Sequence, residues 1–128
     1  MMPVPSFAQI LAVAIGAACG AWLRWLAGLW LNAKWHGFPL GTLLVNCVGG
    51  FLIGGLLLWF ERTPNDLMRL LLVTGLLGGL TTFSSYSGES LFLLHRGQWA
   101  LAFGHTAAHV LGSLACAAAG YEIVRRIL

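Results

Sequence analysis

Charge is what this sequence has least of. Only 9% of its 128 residues are charged, against 59% hydrophobic, whereas soluble domains carry roughly 25% charged residues. At that density a soluble fold could not cover its own surface with polar groups. A chain this short could not hide several long apolar segments in one soluble core either. The net charge of +3 comes from scattered residues with no basic run, which argues against a nucleic-acid partner. Cys19, Cys47 and Cys116 stand in separate apolar segments without C-x-x-C spacing. They read as small packing residues, not as metal or redox groups. No G-x-x-x-x-G-K loop and no paired mid-segment carboxylates are present, so nothing suggests energy coupling. No nucleophile, base and orienting partner are arranged together, so an enzyme is not expected.

What is present is apolar length. Four segments reach the roughly 20 residues a membrane crossing needs: 7–31, 40–60, 67–94 and 98–123. The expectation is a single all-α membrane domain over 1–128, with short connections that make neighbouring helices antiparallel. The start of the chain lacks the basic region of a signal peptide, so the first segment is expected to remain. Trp22, Trp25, Trp30, Trp35, Trp59 and Trp99 read as interface anchors.

Orientation is weakly encoded. With four spans, Arg62, Arg69, Arg125 and Arg126 share one face, and Lys34, Arg96 and Arg24 fall to the other. Four against three is almost no bias under the positive-inside rule. Such a chain could insert both ways up and form an antiparallel homodimer, or it could be fixed by Arg125 and Arg126. The glycine pairs Gly16/Gly20, Gly50/Gly54 and Gly75/Gly79 allow close backbone approach, and point to a tight bundle with a second copy.

The chemistry concentrates in the third segment, in Gly75-Leu-Leu-Gly-Gly-Leu-Thr-Thr-Phe-Ser-Ser-Tyr-Ser-Gly88. Adjacent glycines followed by threonines weaken a helix locally. Unwound backbone at membrane depth must be satisfied by protein, water or an ion, and broken helices commonly hold one. The third helix is therefore expected to be broken mid-membrane, the alternative being a kink satisfied by its own hydroxyls. Asn46 in the uncharged second segment reads as interhelical glue or as a pore-lining donor. Arg24 could snorkel, pair with Glu89 or draw anions into a vestibule. His105 and His109 share a helical face at i, i+4 and could hold a metal. Without the glutamate of H-E-x-x-H they read rather as hydrogen-bonding groups. A proton-coupled multidrug exporter of four helices would need an embedded carboxylate, for which Glu89 is the one candidate. An accessory subunit would not need the break.

At these positions the sequence resembles the Fluc (CrcB) family of bacterial fluoride channels. The resemblance lies in Gly16-Ala-Ala-Cys-Gly-Ala-Trp-Leu-Arg24, in Gly41-Thr-Leu-Leu-Val-Asn-Cys-Val-Gly-Gly50, and in the third-segment run from Thr74 to Glu89. It implies a dual-topology homodimer in the bacterial inner membrane, with antiparallel subunits and two fluoride pathways for passive export. Asn46 matches the pore asparagine and Phe83 the first aromatic of the phenylalanine box. Tyr86 occupies the second box position, which is often Phe. Ser84, Ser85, Ser113 and Thr42 resemble the hydroxyl-lined track, Arg24 the vestibule arginine, and Glu89 a family acidic position. The carbonyls of Gly78 and Thr81 match a central Na+ site shared between subunits, in which the ion is structural and is not transported.

Overall fold

The computed structural model describes residues 1–34 and 37–128; Trp35 lies outside the described residues. Among the described residues every regular element is a helix. Helix α1 covers Phe7–Leu31 and α2 covers Leu40–Arg62. Helix α3 spans 66–80 in three continuous stretches: α-helical Asp66–Arg69, π-helical Leu70–Leu77 and α-helical Gly78–Leu80. Helix α4 covers Phe83–His95 and α5 covers Trp99–Ile127. Together α3 and α4 make one span, so that four spans are long and apolar enough to cross a membrane.

Local chemistry fixes the ends. Ser6 and Gln9 form a reciprocal capping box that starts α1. Asn32 Oδ1 accepts the Gly41 N–H at 2.7 Å and ties the end of α1 to the start of α2. Asn65 caps α3 by accepting from the Met68 N–H. Gly97 takes a φ of 73° in the turn between α4 and α5, a left-handed conformation that glycine adopts without steric cost. Helix α5 continues to Ile127, beyond the expected 123, because Glu122 pairs with Arg125 and Arg126 one turn on.

Two helix pairs build the body: α1 on α3, and α2 on α5. Glycine sets both distances. A Cβ on Gly16 would overlap the Leu71 carbonyl oxygen, and one on Gly79 the Ala17 carbonyl oxygen. Across the other pair, Cβ atoms on Gly54 and Gly120 would overlap the carbonyl oxygens of Ala117 and Phe51. Without a hydrophobic drive in lipid, such backbone approach is how helices gain contact. The outside is apolar instead of polar: Trp22, Trp25, Trp30, Trp59 and Trp99 are all exposed, as are Ile15, Leu44, Phe103 and Leu111. The buried groups include three polar ones, Thr42, His105 and His109.

Candidate functional site

The third span is interrupted at two residues. Thr81 (φ −85°, ψ 154°) and Thr82 (φ −151°, ψ 118°) are extended between α3 and α4. The glycines before them are not the interruption, since Gly78 and Gly79 are helical. Gly79 instead supplies the close approach to Ala17. The threonines carry the break by local bonding. Thr81 turns its hydroxyl back to the Leu77 carbonyl at 2.8 Å, the same oxygen that accepts its own N–H at 3.0 Å. Thr82 begins α4 as a side-chain cap, accepting the Ser85 N–H at 3.1 Å. Upstream, the Gly78 N–H reaches the Val73 carbonyl five residues back, the π spacing often found beside functional sites. No compositional signal in the sequence marks that π stretch.

Asn46 of α2 holds the interruption from the side. Its Oδ1 accepts the Thr82 N–H at 2.8 Å, and its Nδ2 donates to the Thr82 carbonyl at 3.1 Å. Nδ2 also lies 3.0 Å from His109 Nδ1 on α5. Arg24 reaches the same region from α1. Its Nε donates to the Gly79 carbonyl at 3.0 Å, placing a cation at the C-terminal end of α3 where the helix dipole favours it. Arg24 makes no ion pair with Glu89 among the described residues.

Glu89 of α4 is half-buried and held by two partners. Thr42 Oγ1 donates to one carboxylate oxygen, and His105 Nε2 lies 3.0 Å from the other. His105 is fully buried, and its Nδ1 is 2.8 Å from Ser90 Oγ. Rings close around this centre. Tyr86 stacks on His105 with 5.4 Å between centroids, touches His109 at 4.8 Å, and meets Phe83 edge-on at 5.3 Å. Glu89, His105 and His109 each bring one ligand-capable atom within 4.8 Å of the others. The histidines thus bond across helices at the centre of the site, as expected of hydrogen-bonding groups; the arrangement of α2, α4 and α5 supplies their partners.

Two cavities flank the interruption, and Thr82 lines both. The larger, about 510 Å³, is lined by Asn46, Thr81, Phe83, Tyr86, His109 and Ser113 among others. Gly78 also lines it, and a Cβ there would meet nothing closer than the Val73 carbonyl at 3.9 Å. Phe83 is 79% exposed on its open side. The second cavity, about 350 Å³, gathers Arg24, Thr42, Ser85 and Glu89. Ser84 lines neither; its hydroxyl is 3.2 Å from Thr82 Oγ1 on the outside of the turn. The arrangement offers donors and aromatic edges along a broken helix, with a single fixed carboxylate.

Residues 11–121 match the family described as CrcB-like protein, Camphor Resistance (CrcB). A protein of Aromatoleum aromaticum named fluoride-specific ion channel FluC is 50% identical over 120 residues, covering 92% of this chain and 89% of that one. Proteins of the same name from Bordetella petrii (55% over 115 residues, 88% of each chain) and Thiobacillus denitrificans (49% over 113 residues, 87% and 91%) are similarly close. The order of motifs, the interrupted third span and these likenesses agree: the chain belongs to the CrcB family.

Proposed function

We propose that this protein is a passive, fluoride-selective channel that lets fluoride leave the cytoplasm through the bacterial inner membrane. The observation that carries the reading is the Thr81–Thr82 interruption, held by Asn46 and opening on a cavity walled by Phe83, Tyr86 and Ser113. Fluoride is small and strongly hydrated, so a path for it must replace water with donors that bind without a deep single well. Amide N–H groups, serine and threonine hydroxyls, and the positive edges of aromatic rings are such donors. Arg24 would raise the anion concentration at the mouth of the second cavity. A negative-inside potential would drive the anion outward.

The interruption would lie mid-membrane, and the functional unit would be a homodimer of antiparallel subunits. The open side of the larger cavity, where Phe83 and Gly78 are uncovered, supports a partner closing it. The near-even distribution of Lys and Arg supports insertion in both orientations. The residues also fit a structural Na+ on the dimer axis. Gly78 has no side chain and open space before it, and Thr81 turns its hydroxyl away toward Leu77. Their carbonyls would hold the ion, which would offset carbonyl dipoles that the break leaves facing lipid depth.

The test is fluoride efflux from liposomes containing the purified protein, followed with a fluoride electrode under a negative-inside potential. Fluoride should leave and chloride should stay. Efflux no faster than from protein-free liposomes overturns the reading.

A further inference from the structure

One ring nitrogen at the centre of the site has no partner. His109 is 5% exposed, and its Nε2 is buried without a hydrogen bond among the described residues. The protonation of that atom follows from its neighbours. The Thr82 N–H can only donate, and it bonds Asn46 Oδ1; the Thr82 carbonyl can only accept, and it faces Asn46 Nδ2. The Asn46 amide is therefore fixed in one orientation. Its NH₂ has two hydrogens and no lone pair to offer, so the group 3.0 Å away, His109 Nδ1, must accept. A neutral imidazole that accepts at Nδ1 carries its proton at Nε2. The orphan is a buried N–H donor, a kind of group that proteins rarely leave without an acceptor.

Tautomers also separate two uses of the Glu89–His105–His109 cluster, whose spacing alone would also suit a divalent metal. A metal ligand needs a lone pair aimed at the ion. The His109 lone pair is taken by Asn46. At His105, an Nε2–H donated to Glu89 leaves the lone pair at Nδ1, where the Ser90 hydroxyl meets it. Both imidazoles thus have their lone pairs engaged and carry N–H groups at Nε2. That chemistry suits an anion.

We propose that His109 Nε2–H is a fluoride-binding donor in the pathway, and that Asn46 is a positioning residue that sets its tautomer while clamping Thr82. The proposal rests on the fluoride-channel reading and adds a ligand to it. His109 lines the larger cavity, and its ring lies against His105, 4.5 Å between centroids, which in turn holds Glu89 of the second cavity. Through these contacts His109 links the residues of the two cavities. Its nitrogen has essentially no surface open to water, so an anion reaching it must push aside a flanking ring such as Tyr86. That demand favours the smallest halide.

The full chain, labelled with [15N]histidine and reconstituted in liposomes that show fluoride efflux, tests this by NMR. Its four histidines are resolved by comparison with a His109→Gln variant. Wild-type His109 should show the Nε2–H tautomer, and sodium fluoride, but not sodium chloride, should move that N–H signal. Asn46→Asp replaces the donor with an acceptor and should convert His109 to the Nδ1–H tautomer, with loss of the fluoride response. His109→Leu should lower efflux at least tenfold, whereas His109→Gln, which keeps an N–H, should retain most of it. An Nδ1–H tautomer in the wild type, or a signal unmoved by fluoride in a sample that conducts it, overturns the proposal even if the leucine variant does not fold. Absence of efflux from the wild type would instead sink the channel reading on which it stands.

Discussion

Asn46 and Thr82 are joined by two hydrogen bonds of opposite sense, N–H to Oδ1 at 2.8 Å and Nδ2 to carbonyl at 3.1 Å. The side chain of one helix thereby supplies what the neighbouring helix loses where it unwinds. Where backbone groups cannot fall back on solvent they need protein partners, and this amide serves both polar backbone groups of Thr82. It also explains why an asparagine stands in the strongly apolar stretch of α2, which carries no charge before Glu61.

Replacing Asn46 with Asp keeps the acceptor for the Thr82 N–H but turns a second oxygen toward the Thr82 carbonyl. A buried carbonyl left without a donor costs about 1–3 kcal/mol. The variant should unfold several degrees earlier in detergent and should lose most fluoride efflux. Wild-type stability together with wild-type efflux would remove Asn46 from both the clamp and the pathway.

Thr42 and His105 fix the Glu89 carboxylate between them. Thr42→Val preserves shape and removes one donor, and Glu89→Gln removes the charge the donor serves. Because hydrogen bonds to charged groups contribute about 1.5–3 kcal/mol, each single change should destabilise the protein. The double variant should be less damaged than the sum of the two, with a coupling of about 0.5–3 kcal/mol. Additive unfolding free energies in a double-mutant cycle would show that the pair does not interact.

Glycines at the helix crossings should be separable from glycines that merely occur in helices. A Cβ at Gly120 overlaps the Phe51 carbonyl oxygen, whereas one at Gly104 meets nothing within 4 Å. Gly120→Ala must push α2 and α5 apart, at a cost of about 1–3 kcal/mol. Gly104→Ala should change stability by no more than about 0.5 kcal/mol. Thermal unfolding in detergent checks the pair, and equal effects would mean the crossing is not packed through Gly120.

Sequence and structure part company at instructive places. Scarcity of charge made four spans legible, because no soluble solution exists for so apolar a chain. The glycine pairs announced close packing, and the carbonyls that Gly16, Gly54 and Gly79 approach belong to neighbouring helices. The interruption expected in the third segment falls on the threonines of that run and not on its glycines. Gly78 and Gly79 suggest a weak helix, yet they remain helical, and the unwound residues are Thr81 and Thr82. Thr82 is held there by Asn46, 36 residues away in sequence, a partner that no local pattern shows. The π stretch carries no signal in the sequence. His105 and His109 read as hydrogen-bonding groups, but their partners Asn46, Glu89 and Ser90 are brought to them only by packing.

Gly78 offers the sharpest test of the proposed dimer and its sodium. Within one subunit it is exposed, and a side chain there meets nothing closer than 3.9 Å. Gly78→Val should therefore leave the single subunit well packed, with helix content unchanged by circular dichroism. If its carbonyl and that of Thr81 line a shared ion site, the added methyl groups must crowd the partner and the ion together. The variant should then dissociate to monomers in detergent. The wild type should gain thermal stability when sodium replaces an organic cation, and the variant should not. Gly88→Ala, with nothing within 4 Å of its Cβ, should keep both properties. A Gly78→Val protein that stays dimeric and still responds to sodium would place the interface, and the ion, somewhere else.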